Sequence, residues 1–224
     1  MQIAYDVVFS KRRTITLIVE RDNRIVLRVP EGTPNERIEH LIEQKKRWLY
    51  EKTQHPKKYP ERQQRKEVVS GESVLYLGHH HLLEIVDEPL TGLEFDTTFR
   101  LPKALVGQAS RLFSTWYIQR AKRLLQQRVK RLAQSLGVHY NKILVSDLKY
   151  RWGSCTPKDN LNFNWRIIKA PIFVIDYLIV HELAHLLEPN HTKRFWGIVA
   201  VQIPNHLEAR AWLADHGNLL EFDF

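Results

Sequence analysis

Tyr177 to Trp196 reads YLIVHELAHLLEPNHTKRFW, and the spacing of its histidines decides what the rest of the chain has to support. His181 and His185 are four apart, so on a helix of about 3.6 residues per turn their imidazoles leave one face toward a shared point. Glu182 falls about 100° round the same helix, too far to join them as a ligand but within reach of a water on a metal ion. The pattern is that of a zinc-binding helix with a general base beside the ion.

Two imidazoles hold zinc weakly, and a hydrolytic site needs three protein ligands and one open position. His191 would lie about 240° from His185 if the helix continued, so the chain must turn between them. Glu188-Pro189-Asn190 supplies that turn: proline cannot extend a helix, it biases Glu188 out of the helical region, and asparagine tolerates left-handed backbone. The rival third ligand is Glu208 downstream, although Asn205-His206-Leu207-Glu208 also reads as a capping pair opening a last helix. The plainer alternative for the whole stretch is a buried helix with incidental histidines. Against it, Glu182 in so apolar a helix would bury a charge for no purpose. Asp176 has two readings, as a partner of a ligating histidine or as an acid near the helix start.

The run from Arg151 to Trp196, RWGSCTPKDNLNFNWRIIKAPIFVIDYLIVHELAHLLEPNHTKRFW, resembles the YgjP-like metallopeptidase domain, a zincin group similar to the SprT and WLM proteases. The likeness extends to SKRRTITLIVERDN, Ser10 to Asn23, and to the carboxy-terminal LEARAWLADHG. It implies His181, His185 and His191 as metal ligands, Glu182 as the catalytic acid/base, and a peptide bond as the target. The same histidine spacing occurs in metzincins, but those carry Gly at the eighth place, where this chain has Glu188.

A chain of 224 residues with 43% hydrophobic side chains has material for a substantial core. The start, MQIAYDVVFSKRR, lacks the basic lead and apolar stretch of a secretory signal. Ile172 to Val180, broken by Asp176, is far short of the roughly 20 residues of a membrane span. The single cysteine, Cys155, permits no internal disulfide. A soluble, cytoplasmic protein with no membrane partner is expected.

Residues 3 to 29 alternate apolar and polar in three pieces, a small antiparallel sheet with a hairpin turn at Arg21-Asp22-Asn23. Thr33 to Glu36 predicts a capping box, and Ile38, Leu41, Ile42, Trp48 and Leu49 a helix from about Pro34 to Lys52. Gln54 to Lys66 reads as a linker, and strands return over Val68 to Val86.

The net charge of +9 is concentrated: residues 97 to 146 hold ten basic and no acidic side chains. Much of that segment is a long helix with the stripe Phe113, Tyr117, Ala121, Leu125, Val129, Leu132 and Leu136, capped by Gly137. Its outer face carries Arg111, Arg120, Lys122, Arg123, Arg128, Lys130 and Arg131, a field that would attract nucleic acid, nucleotide phosphates or acidic protein, or simply a solvated face. A strand at Ile143 to Ser146 and a hairpin over 149–154 and 161–168 follow; such a hairpin offers an edge for an extended peptide. Arg151 and Arg166 could contact substrate or transition state, or form surface pairs.

The sequence thus predicts an α+β chain: an amino-terminal β-rich region with one helix over 1–96, then a zincin-like metal-binding catalytic domain over 97–224. The expected cofactor is one Zn²⁺ or another divalent transition metal, and the expected activity is hydrolysis of a peptide or protein. A metal-dependent nucleoside triphosphate pyrophosphohydrolase is a second possibility. A nucleic-acid-binding module with a structural metal, using the basic 97–146 segment, is a third.

Overall fold

The computed structural model describes residues 4–19, 24–53, 66–148, 151–221 and 224, and is an α+β protein. The turn expected at 21–23 and almost all of the linker expected over 54–66 lie outside the described residues. The chain forms two compact units, residues 1–62 and 63–224.

In the first unit, β1 (Asp6–Ser10), β2 (Thr16–Val19) and β3 (Ile25–Pro30) make a sheet of order β1-β3-β2. The sheet is mixed, not antiparallel: β2 pairs antiparallel with β3, but β1 runs parallel to it. The expected helix is two helices, α1 (Asn35–Gln44) and α2 (Lys46–Thr53), broken at Lys45. The capping box does not form. Pro34 in extended backbone is itself the cap, so Thr33 stands one residue too early, and its hydroxyl donates to Pro30 O at 2.7 Å. Ile25, Leu27, Val29, Ile38, Ile42 and Leu49 form a small core, while Trp48 remains 38% exposed.

The second unit begins earlier than composition suggested, and residues 63–96 belong to it. Its four-stranded sheet comprises β4 (Ser73–Tyr76), β5 (His79–Val86), β6 (Glu94–Phe95) and β7 (Phe99–Pro102), in the order β4-β5-β7-β6. Val74, Leu83, Phe99 and Leu101 point from it into the same core as α3 (Ala109–Leu136), and that shared core moves the boundary. On α3 the apolar stripe is buried at Phe113, Tyr117, Ala121, Leu125, Val129 and Ala133, and Gly137 ends the helix at φ 66°, the left-handed backbone that glycine accepts without a Cβ penalty.

Beyond α3 lie β8 (Lys142–Ser146), β9 (Gly153–Cys155) and β10 (Asn160–Asn164), in the order β8-β10-β9. β9 and β10 form the expected antiparallel hairpin, with β8 parallel on the far side of β10. The second hairpin strand stops at Asn164 and becomes a 3-10 turn, Trp165–Lys169. Then come α4 (Ile172–Ala184), α5 (Lys193–Gln202) and α6 (His206–His216).

The start of α4 is fixed from the other sheet. The β4–β5 turn has Leu77 and Gly78 at φ 51° and 83°, and its amides donate to Ile168 O and Lys169 O at 3.0 and 2.8 Å. A Cβ on Gly78 would meet Pro171 Cγ at 2.7 Å, so only glycine lets this turn close on the proline that opens α4.

Candidate metal centre

α4 is apolar nearly all round because it packs against α3, α5, α6 and β9. Its one acid before the histidines, Asp176, accepts from Arg128 Nη1 at 2.6 and 2.7 Å, with Arg131 Nη2 at 3.6 Å. Asp176 is therefore an anchor to α3 rather than a histidine partner, and Arg128 is removed from the basic face expected to meet polyanions.

The helix ends at Ala184, earlier than the proline required, and His185 is its C-cap. The next turn tightens through Leu186 and Leu187 amides donating to Leu183 O and Ala184 O at 3.1 and 3.0 Å. His185 Nδ1 lies 3.4 Å from Glu188 O, so donation there turns Nε2 toward the other rings. Thr192 then caps α5, its hydroxyl oxygen accepting from Phe195 N at 3.3 Å. His191 stands just before that extended cap, and its ring returns to His181 of α4.

The three imidazoles converge. One ring nitrogen from each of His181, His185 and His191 lies within 4.8 Å of the others, and no further group of three or more such side chains occurs among the described residues. Nε2 of His191 and Nε2 of His181 are 3.0 Å apart. Phe195, fully buried, floors all three rings at centroid distances of 4.9, 4.6 and 4.7 Å. Glu208 is not in the group: it is exposed in the first turn of α6, its Oε2 3.5 Å from Asn205 Nδ2, and Asn205 stands at the N-cap without the side-chain cap bond that the capping alternative expected. Cys155 also stays out, its Sγ 3.7 Å from Thr156 O.

Burial first, then the neighbouring His185 and His191, pushes His181 down to about 3. Burial lowers His185 as well. Both rings are neutral near pH 7, the form with a free lone pair for a cation. Three imidazoles fit zinc or another late divalent ion and not magnesium. Nδ1 of His181 is buried with no hydrogen-bond partner, so no described group holds that ring through this nitrogen.

Glu182 turns off the histidine face and is 4% exposed. It is wedged against β9: a Cβ on Gly153 would meet its Oε1 at 2.5 Å, and the Cys155 backbone N–H donates to its carboxylate. Burial raises Glu182 to about 8, opposed by the Arg151 charge and the Cys155 bond. Arg151 is thus close to Glu182, and it is exposed. Arg166 is not available to the site: its guanidinium bonds Asp147 Oδ1 at 2.6 Å, lies 3.6 Å from Glu221 and sits 4.2 Å over the Trp165 ring. Sequence reasoning missed Gly153 and Phe195. A lone glycine in a strand does hint at close approach, but not of which side chain.

No match is found among curated proteins. Among solved structures, the crystal structure of the metallopeptidase zymogen of Pyrococcus abyssi abylysin is similar over 39% of this chain and 91% of that chain, at 18% identity and a TM-score of 0.36. That likeness is too slight to bear on function. The family model described as the YgjP-like metallopeptidase domain matches residues 13–216, spanning nearly the whole chain from the first sheet to the end of α6, and the chain belongs to that family.

Proposed function

We propose that this metallopeptidase is zinc-dependent, with His181, His185 and His191 holding one ion and Glu182 moving the proton. The convergence of three imidazoles beside a buried carboxyl carries the reading. Held by those three imidazoles, a zinc ion would supply Lewis acidity to the attacking water and the scissile carbonyl. Glu182 takes the proton from the attacking water and returns it to the leaving amine. The Cys155 N–H and the Gly153 backbone hold the carboxylate in one place, and Phe195 packs against the rings. β9, an edge strand beside Glu182, offers main-chain groups to an extended peptide, and Arg151 stands where it can steady substrate charge.

No specific observation favours nucleotide hydrolysis, and Arg128 and Arg166, two cations such a site would want, end on carboxylates. Among the described residues no helix is long and apolar enough to cross a membrane.

The test is hydrolysis of a peptide library by the protein before chelation, after chelation and after zinc is restored. Cleavage that disappears and returns is expected. Cleavage indifferent to chelator, or hydrolysis of nucleoside triphosphates without any peptide cleavage, would overturn the proposal.

A further inference from the structure

The candidate metal centre continues outward as a stack. Trp196 of α5 lies nearly parallel to His191, with ring centroids 5.8 Å apart and planes at 29°. Its ring is likewise parallel to His206 of α6, at 6.2 Å and 25°. Arg210, one turn along α6 from His206, holds its Cζ 5.3 Å from the Trp196 centroid.

Arg210 is exposed, and no carboxylate among the described residues pairs with it. Glu208, two residues earlier, lies near Asn205 instead. Through Trp196, Arg210 stands next to the candidate metal centre, an exposed cation open to a partner that arrives with substrate. A guanidinium supported by an aromatic ring keeps its N–H fork directed outward, in the geometry that takes a carboxylate through two bonds.

We infer that Arg210, supported on Trp196, is a substrate subsite for a peptide carboxylate, either a free carboxy terminus or an Asp or Glu side chain. The contacts of 5.3 and 5.8 Å between guanidinium and His191 ring are crossed by an extended peptide in about three residues, at roughly 3.3–3.6 Å each. The carboxylate therefore lies within about three residues of the scissile bond. This rests on the peptidase reading above.

The test uses zinc-loaded Glu182→Gln protein, which binds without turnover, and three N-acetylated peptide mixtures of otherwise matched composition. One is neutral with a free carboxy terminus, one is amidated with a single Glu, and one is amidated and neutral. Calorimetry at low salt should show at least one carboxylate mixture binding about tenfold more tightly than the neutral amide, the size of a partly exposed charge-assisted pair. Preference for the free terminus or for Glu identifies the source of the carboxylate, and either supports the subsite. Adding Arg210→Ala should bring that ratio to about one, with Arg210→Lys in between, because lysine keeps the charge but loses the fork. A ratio near one before the change, a ratio that survives Arg210→Ala, or no binding of any mixture at millimolar concentration overturns the subsite. Failure of the peptidase reading shows separately, as absence of peptide cleavage by the protein with Glu182 intact.

Discussion

Gly153→Ala is the sharpest perturbation of the site that leaves every candidate ligand and base in place. The new Cβ would stand 2.5 Å from Glu182 Oε1, 2.8 Å from Cγ and 2.9 Å from Cδ, so one partner must move. β9 is poorly able to yield, because Gly153 pairs with Phe163 of β10, a fully buried ring. The carboxylate is the softer partner, and moving it breaks the bond from the Cys155 N–H. Overpacking of this kind costs about 1–3 kcal/mol of stability, and misplacing a catalytic group by an ångström costs about 10²-fold in rate. The expected protein is folded, slightly less stable, fully zinc-loaded, and slower on peptide by about 10² to 10³. Metal analysis, thermal unfolding and turnover on one preparation measure all three. Parental turnover in Gly153→Ala would refute the idea that β9 positions Glu182, and loss of zinc would show that the strand shift reaches the histidines.

Other changes separate the remaining roles. His181→Ala, His185→Ala and His191→Ala should each lose most of the zinc by metal analysis, whereas Glu208→Gln should keep it. Glu182→Gln should retain zinc while peptide turnover falls by about 10² to 10⁴, the usual loss of a positioned acid/base. In metal-free protein, Glu182 is raised from 4.5 to about 8, so its contribution to stability is full below pH 4.5 and is lost as pH rises through 8. His181, lowered from 6.5 to about 3, contributes stability present above pH 6.5 and lost as pH falls through 3. The two windows overlap from pH 4.5 to 6.5, so stability in denaturant melts should be highest across that range and fall on either side of it, and Glu182→Gln should remove an alkaline loss of at most about 5 kcal/mol. Asp176→Asn should leave Arg128 short of a counter-charge, lowering stability by about 2 kcal/mol with zinc retained. Zinc loss in that variant at unchanged stability would return Asp176 to the histidines.

What could be read in advance depended on how far apart the deciding residues lie. The α3 stripe and its Gly137 cap, the α4 pair of histidines and the turn before His191 are set within a few residues, so periodicity and proline chemistry expose them. Even there, the helix stops at Ala184 because His185 takes the cap position, a competition between side chain and helix that spacing does not reveal. Pairings across the fold were hidden. Alternation marks β1 as a strand but not as the parallel partner of β3, and Arg166 gives no sign that Asp147 and Glu221 will claim it. The boundary at 62/63 was missed because the strands after Val68 look alike whichever core receives them, and only the shared core with Phe113 and Leu125 assigns them.

The three imidazoles lie within the short run His181 to His191, whereas the groups that hold Glu182 come from β9, a hairpin and a 3-10 turn earlier in the chain. Closing a loop of about ten residues takes only roughly 10–100 ns, so the ligand set can assemble long before the sheet docks. Two consequences follow for the folding chain. On the proposed reading, zinc can be captured by a segment whose base, Glu182, is not yet held by β9, which makes metal content a report on one helix end and its turn and not on competence. An unfolded chain that keeps those histidines keeps some affinity for the ion as well, so added zinc raises the melting temperature by less than its affinity for the folded protein would suggest.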